Sequence, residues 1–473
     1  MKQLMRSLKT TLLFFLVISL ALLAGIVLQQ NKSQRLLLQS SNENKAALAS
    51  RYSNAGTIYS RDMTRLAYSQ NGQRYYADNP ELARAMVQTI GDYTHNIGNT
   101  IEGAYQDRLI GTGRTFFQQV FFDFAGKGLT GDDIILTVNS ELILYAQQLL
   151  GDSRGSIVLL NYQTGGIICL VSTPNTYPDN VVTWTDIPES SLFNRSILGG
   201  YSPGSTFKAV TGTAWTESDL FDPNYVMYCR GQEPLLGTGS VTEDRGEGAH
   251  GEVDLQSAFQ ISCNHFFGDI GVQIGSEQML KTAEQFGFNE TLSVGRLIAK
   301  TGTYKTVPDD QFLLSWQAIG QPIDVNELTV SPLHLAMISG TIANQGIMMQ
   351  PYLIHNFVGP LGSNYDATQP ETFSRINSTA NIELIKEDLI ATVEQGRAYG
   401  SYIQGYTIGG KTGTAESVND TGELQTNSLY TGFIDNPQHP YAIGMVIEDG
   451  IYDTPAIAGA ILNKAIELNL KDN

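Results

Sequence analysis

The sequence predicts an α+β fold in which one sheet is assembled from strands near both ends of a domain, with helices between them. Three observations carry that prediction. "GSIVLLNYQTGGIICLVSTP", starting at Gly155, is a hairpin pattern: two apolar runs around Gln163-Thr164-Gly165-Gly166. "YTIGGKTGTAE", "SLYTGFID" and "YAIGMVIED" return to a strand pattern near the C-terminus. Between these ends, "NIELIKEDLIATVEQG" places Ile382, Ile385, Leu389 and Val393 at helical spacing and stops at Gly396.

The elements follow in order along the chain. Lys2, Arg6 and Lys9 precede an uncharged stretch that lasts until Lys32. Thr10 to Asn31 is long enough to cross a bilayer as one helix, and the three cations ahead of it favour a cytoplasmic N-terminus. A cleaved signal peptide would have a shorter apolar stretch and a small-x-small cleavage site. Residues 1–9 are then a cytoplasmic tail, 10–31 an anchor, 32–150 a stalk and small non-catalytic domain, and 151–473 the main domain. The stalk is the polar helical run "SQRLLLQSSNENKAALASRYSNAG". "GTIYSR" and "TRLAYS" read as short strands. "DNPELARAMVQTIG" reads as a helix capped by Asn79 ahead of Pro80. The aromatic run Phe116 to Phe124 reads as buried core, with a partner-binding surface as the alternative. "LTVNSELILYAQQLL" is a strand followed by a helix capped at Asn139 or Ser140.

Composition narrows the functions. A net charge of −18 excludes a general nucleic-acid binder and leaves membrane contact to the N-terminal segment. Three cysteines, Cys169, Cys229 and Cys263, make no disulfide framework, although an oxidising exterior would permit a Cys229–Cys263 bond. No C-x-x-C or zinc-spaced cluster is present, and none of the six histidines has the spacing of a ligand pair. His265, beside Asn264, reads as structural.

Chemistry concentrates in "GGYSPGSTFK", Gly199 to Lys208. Gly200-Tyr201-Ser202-Pro203-Gly204 fits the G-x-S-x-G nucleophile elbow, but the polar "SSLFNRSILGG" before it is no buried strand. Ser202 instead reads as a helix N-cap, with Pro203 in the first turn. That puts Ser205 near a helix N-terminus, where developing negative charge is favoured, and Lys208 one turn on. A serine hydroxyl needs a base, and a lysine with a lowered pKa can serve. Ser262-Cys263-Asn264 follows 57 residues after Ser205, and Lys411-Thr412-Gly413-Thr414 begins 149 residues after Ser262. The ordered set S-x-x-K, S-x-N, K-T-G is far more specific than any one piece. A P-loop pattern at Gly405–Thr412 lacks the strand before it and the helix after it, so nucleotide binding is rejected.

At these residues the chain resembles the class B penicillin-binding proteins, in particular the penicillin-binding protein A-like subgroup. "NRSILGGYSPGSTFK", "AIGQPIDVNELTVSPLHLAMISGTIANQG", "GTIYSRDMTRLA" and "IGNTIEGAYQDRLIG" resemble successive family segments, so the likeness covers nearly the whole chain. Departures are Ala55-Gly56 for Arg-Gly, Ser60-Arg61 for Asp-Arg, and Gly320-Gln321-Pro322 for Gly-Gln-Gly. The resemblance implies a transpeptidase/β-lactamase-like domain, an antiparallel sheet flanked by helices, behind a transmembrane helix and a small pedestal domain. It implies Ser205 as the acylated nucleophile, Lys208 as base, Ser262 as proton relay and Asn264 as a hydrogen-bond partner of the substrate amide. Lys411 would keep Lys208 deprotonated and attract the substrate carboxylate. Thr412 and Thr414 would bind that carboxylate, Gly413 would leave room for substrate, and the N–H groups of Ser205 and Thr414 would form the oxyanion hole. The implied reaction is crosslinking of peptidoglycan stem peptides ending in D-Ala-D-Ala, with β-lactams as inhibitors and no metal or organic cofactor. A membrane glycosyltransferase of the SEDS class is the implied partner, at the bacterial cell membrane with the catalytic domain outside. A D,D-carboxypeptidase, a β-lactam-hydrolysing enzyme, and a non-catalytic β-lactam sensor or divisome scaffold are the alternatives.

Overall fold

The computed structural model describes residues 9, 11–19, 49–128, 130–234, 240–242, 248–308, 310–321, 324, 327–418 and 424–470. Residues 11–19 are helical and exposed; the rest of the expected anchor and nearly all of the expected stalk lie outside the described residues. No helix among the described residues is long and apolar enough to cross a membrane.

In chain order the elements that build the site and its support begin with β1 (Ile58–Tyr59), β2 (Arg65–Gln70) and β3 (Gln73–Tyr76). Next come α1 (Pro80–Ile90), α2 (Phe116–Phe124), β4 (Asp133–Leu136), α3 (Ser140–Leu150), β5 (Gly155–Asn161) and β6 (Ile167–Thr173). The middle holds α4 (Lys208–Thr216), β7 (Met227–Cys229), β8 (Gly251–Val253), α5 (Leu255–Ile261) and α6 (Asn264–Gln285), which breaks at Gly275. The chain then forms α7 (Pro332–Ala343), β9 (Ile354–Val358), β10 (Asn364–Tyr365) and α8 (Thr379–Gln395). It ends with β11 (Ile408–Val418), β12 (Leu424–Ile434), β13 (Tyr441–Ile447) and α9 (Thr454–Glu467).

Two sheets dominate. The larger domain is built on five strands in the order β11-β12-β13-β5-β6, every neighbouring pair antiparallel. The expected union of N- and C-terminal strands is therefore met where β13 pairs with β5, Tyr441 opposite Asn161. Both β5 and β13 are buried along their whole length, because the sheet is covered on both faces. α7, buried throughout, lies so close to β13 that a Cβ at Gly444 would sit 2.2 Å from the Pro332 carbonyl oxygen. Residues alternate across a strand, so Tyr441 points to the opposite face, where its hydroxyl donates to the carbonyl of Leu470 just after α9.

The second sheet has six strands in the order β10-β9-β4-β1-β2-β3. It draws four strands from before residue 151 and two from after it, so the chain begins the five-stranded sheet before completing the six-stranded one and then returns to finish the first. Local chemistry at several ends agrees with the sequence. The Asn79 side chain accepts from Glu81 N and Leu82 N at the start of α1, and Asn139 accepts from Leu142 N at the start of α3. Ile382, Ile385, Leu389 and Val393 are the buried stripe of α8.

The aromatic run 116–124 corrects its expectation. It is a helix, closed by a Thr115–Gln118 capping box, and none of its residues is buried. Phe117 is 82% exposed and Phe124 is 89% exposed. Hydrophobicity alone does not assign burial when a short element stands proud of both sheets.

Candidate active site

The site forms where α4, the α5–α6 turn and the edge strand β11 converge. The start of α4 differs from the expected simple cap. Pro203, not Ser202, occupies the N-cap position, and Gly204–Phe207 make a 3₁₀ turn that runs into α4 at Lys208. Ser202 caps nothing there and is buried. The cause is Gly204, whose φ of +53° breaks helical geometry at the residue before Ser205. A Cβ at Gly204 would stand 2.4 Å from the Thr414 carbonyl oxygen, so only glycine lets the turn meet β11. Ser205 is partly exposed, while Thr206, Phe207 and Lys208 around it are buried.

Lys208 is fully buried. Its Nζ donates to the Ser262 carbonyl oxygen at 2.7 Å and to Asn264 Oδ1 at 2.7 Å, and lies 3.2 Å from Ser262 Oγ. Ser262 can offer both its oxygens because it ends α5 in the left-handed region, φ +60° and ψ +42°. Cys263 then caps α6 through its sulfur, which accepts from Phe266 N. Asn264 thus begins a helix with its side chain turned to Lys208. Lys411, also fully buried, reaches across from β11 and donates to Ser262 Oγ at 2.9 Å and to the Thr412 carbonyl at 3.2 Å. The Ser262 hydroxyl is therefore shared by two lysine amines from segments 203 residues apart in sequence. On β11, Thr412 is partly exposed and Thr414 exposed, whereas Gly413 is buried.

Gly413 has a different neighbour from the one expected. A Cβ there would meet the Pro203 carbonyl oxygen and Thr206 Cγ2, each at 2.8 Å. The missing Cβ lets β11 lie close against the Ser205 turn.

Sequence reasoning missed the part played by residues 320 and 321. The Gly320 carbonyl accepts from Gly204 N at 3.0 Å, and Gln321 Nε2 donates to the Thr414 carbonyl at 2.7 Å. This loop ties the Ser205 turn to β11. Gly-Gln was visible in the sequence but was noticed for its departure at Pro322, which lies outside the described residues. Linear spacing also missed a Cys/His cluster: Cys229, His250 and Cys263 bring their donor atoms within 4.8 Å of one another. All three cysteines are free thiols, so the permitted Cys229–Cys263 bond is not formed.

A network behind the turn fixes its approach. Tyr201 pairs its backbone with Val330 and donates its hydroxyl to Glu448 Oε1 at 2.7 Å. Arg195 donates to the same oxygen at 2.8 Å. Burial alone would raise the Glu448 carboxyl, but Tyr201, Arg195 and Arg154 outweigh it and hold the group below the usual carboxylate range.

A partly exposed serine ahead of a buried lysine, a second serine shared by that lysine and another, and an edge strand beside them define an acyl-serine site of the penicillin-recognising kind. The comparisons agree: residues 155–467 match the penicillin binding protein transpeptidase domain, and the chain belongs to that family. Across 84% of its length it is 29% identical to the peptidoglycan D,D-transpeptidase PbpA of Mycolicibacterium smegmatis, covering 84% of that protein. It is 26% identical to MrdA of Acinetobacter baumannii, over 74% of this chain and 57% of the relative. Among solved structures, the penicillin G acyl-enzyme of penicillin-binding protein A from M. tuberculosis superposes with a TM-score of 0.76 at 26% identity, covering 88% of this chain and all of that one. The D,D-transpeptidase domain from Eggerthella lenta gives 0.76 at 27% identity, over 88% of this chain and 99% of the other. The likeness to class B penicillin-binding proteins of the PbpA type thus extends through sequence and fold alike.

Proposed function

We propose that this chain is a peptidoglycan D,D-transpeptidase acting through an acyl-serine at Ser205. The observation that carries the reading is the cluster of Lys208, Ser262, Asn264 and Lys411 beside the Ser205 turn. Donor counting supports Lys208 as base. A neutral amine donates two hydrogens and keeps one lone pair. Its two hydrogens go to the Ser262 carbonyl and Asn264 Oδ1. Lys411 also donates to Ser262 Oγ, so that hydroxyl has a donor besides Lys208 and the Lys208 lone pair is left to take the Ser205 proton.

In the first half-reaction Ser205 Oγ attacks the carbonyl of the penultimate D-Ala, and Lys208 takes the hydroxyl proton. The N–H groups of Ser205 and Thr414 receive the oxyanion, while Thr412, Thr414 and Lys411 hold the terminal carboxylate. Collapse breaks the peptide bond, and Ser262 passes its proton to the departing D-Ala amine while Lys208 returns its own proton to Ser262 Oγ. A stem-peptide amine then attacks the ester, forms the crosslink and returns the proton to Ser205. Gln321 and Gly320 keep the two oxyanion donors in register, since one loop holds both Gly204 and Thr414. β-Lactams follow the first half-reaction and stop. The PbpA relatives' name and the penicillin G adduct on a similar fold support this reading.

Residues 10–31 act as a single-pass anchor with the catalytic domain outside the cytoplasm, 32–150 form the stalk and pedestal, and 151–473 the transpeptidase domain. β9 and β10 are lent back to the pedestal sheet. The pedestal side, with the exposed face of α2, is the place for a SEDS-class glycosyltransferase partner. The test is labelling with a fluorescent penicillin and peptide mass spectrometry. An adduct on Ser205, absent in Ser205→Ala, is expected. An adduct on Ser202, or fast drug turnover with no accumulating adduct, overturns the reading.

A further inference from the structure

β7 and β8 form a two-stranded ribbon in which Gly251 lies opposite Cys229. His250, one residue before Gly251, is thereby brought beside Cys229, with Nδ1 3.5 Å from its sulfur. Cys263 approaches from the α5–α6 turn, and the three donor atoms lie within 4.8 Å of one another. Cys229 and Cys263 are fully buried and His250 is partly buried. In a tetrahedral zinc site, Zn–S of about 2.3 Å and Zn–N of about 2.0 Å place adjacent sulfur and nitrogen about 3.6 Å apart. The Cys229–His250 distance already fits. His265 Nδ1 lies 3.3 Å from the same Cys229 sulfur, where a ring N–H would steady a thiolate from outside the ligand set.

We propose that Cys229, His250 and Cys263 bind a zinc ion that clips the β7–β8 ribbon to the active-site turn. Two thiolates and an imidazole are a donor set that selects zinc over calcium or magnesium. Two sulfurs buried together become thiolates readily only when a cation shares the space. Cys263 stands between Ser262 and Asn264, the two residues that hold Lys208. A metal on its sulfur fixes the backbone that presents both. It also occupies the two thiols that would otherwise oxidise to one another outside the cytoplasm. Zinc here is structural: it supplies no step of the reaction and touches no reacting atom.

The test uses the full chain in detergent with a phosphine reductant, loaded with Zn²⁺ and freed of excess metal. Plasma mass spectrometry is expected to find about one zinc per chain, falling at least tenfold in Cys229→Ser and in His250→Ala. The zinc X-ray absorption spectrum of the unmodified chain is expected to show two sulfur neighbours near about 2.3 Å and lighter atoms near about 2.0 Å. Stripping zinc is expected to slow penicillin acylation about tenfold, restored by Zn²⁺, as for loss of an outer support of a site. Three results would overturn the proposal: no retained zinc, zinc retained equally by both variants, or a spectrum without sulfur. A Cys229–Cys263 disulfide that persists in protein isolated with zinc present and no chelator would do the same. The absorption spectrum needs no variant, so misfolding of either one leaves the proposal open to refutation. Metal content is read independently of penicillin labelling, so it can fail while the acyl-serine reading stands.

Discussion

Arg74 in the six-stranded sheet and Lys208 in the site both carry a basic group out of water, and their partners differ in kind. Arg74 meets a carboxylate: its Nε lies 2.7 Å from Glu102 Oε1, both side chains fully buried, with the Gly56 carbonyl as a further acceptor. The described partners of Lys208 are a carbonyl, an amide oxygen and a hydroxyl. An ion pair fixes its proton in place, because each charge stabilises the other. Neutral dipoles hold an amine in position while leaving its protonation free to change, which a catalytic base requires. The six-stranded sheet thus pairs its buried charge, and on the proposed mechanism the site puts a buried amine to chemical use.

Substitutions can break that contrast. Lys208→Met is expected to cost the most, slowing penicillin acylation on the order of 10⁴-fold, equivalent to about 5 kcal/mol, in stopped-flow labelling. Its thermal midpoint is expected to hold or rise, since burying an amine costs more than burying a thioether. Glu102→Gln is expected to do the reverse: a loss of about 3–4 kcal/mol in urea unfolding, with the acylation rate at low temperature unchanged. A midpoint drop for Lys208→Met as large as for Glu102→Gln would erase the distinction.

A third buried group sharpens it. Gly302 N donates to His334 Nδ1, so Nε2 carries the hydrogen and donates to the Phe286 carbonyl. Burial pushes this imidazole down to about 4. The unfolded chain therefore binds a proton at higher pH than the folded one. Stability is full above pH 6.5 and falls as pH drops toward about 4, by roughly 3 kcal/mol from this residue. Urea midpoints across that window are expected to slope less in His334→Asn.

Smaller effects test the fit at the site. Gly413→Ala puts a methyl against Pro203 and Thr206 and is expected to slow acylation roughly tenfold, equivalent to about 1–2 kcal/mol, with little change in unfolding. Arg65→Ala removes an exposed ion pair to Asp78 at 2.8 Å and is expected to change unfolding by less than about 0.5 kcal/mol.

The hairpin 155–173, the C-terminal strands and α8 were legible because local pattern and tertiary burial agree there. The three motifs stood out as a set because their order and spacing are rarer than any one motif, and the structure brings Lys208, Ser262, Asn264 and Lys411 together. Local pattern failed at α2, where nine residues rich in phenylalanine form a capped helix with no buried side chain. It failed at Ser202, because the decisive residue was Gly204 and its conformation answers to Thr414, far along the chain. The Cys/His cluster was invisible for the same reason: a strand register and a helix turn bring its members together. What a glycine makes room for also had to be seen in three dimensions, as Gly413 shows.

The junction of Gly204, Gly320 and β11 has a consequence for drug escape. A Cβ at Gly204 would strike Thr414, and one at Gly320 would lie 2.0 Å from the Gly204 carbonyl oxygen. Three segments meet there with no spare volume, so the Ser205 turn cannot be re-aimed by changing one of them. Under β-lactam selection, a library of this chain is expected to yield resistant substitutions around the mouth of the cleft and on the exposed side of β11, while these glycines stay unchanged. A resistant, growing clone altered at Gly204 or Gly320 would show that the junction can yield, and that an inhibitor built to fit it could be evaded.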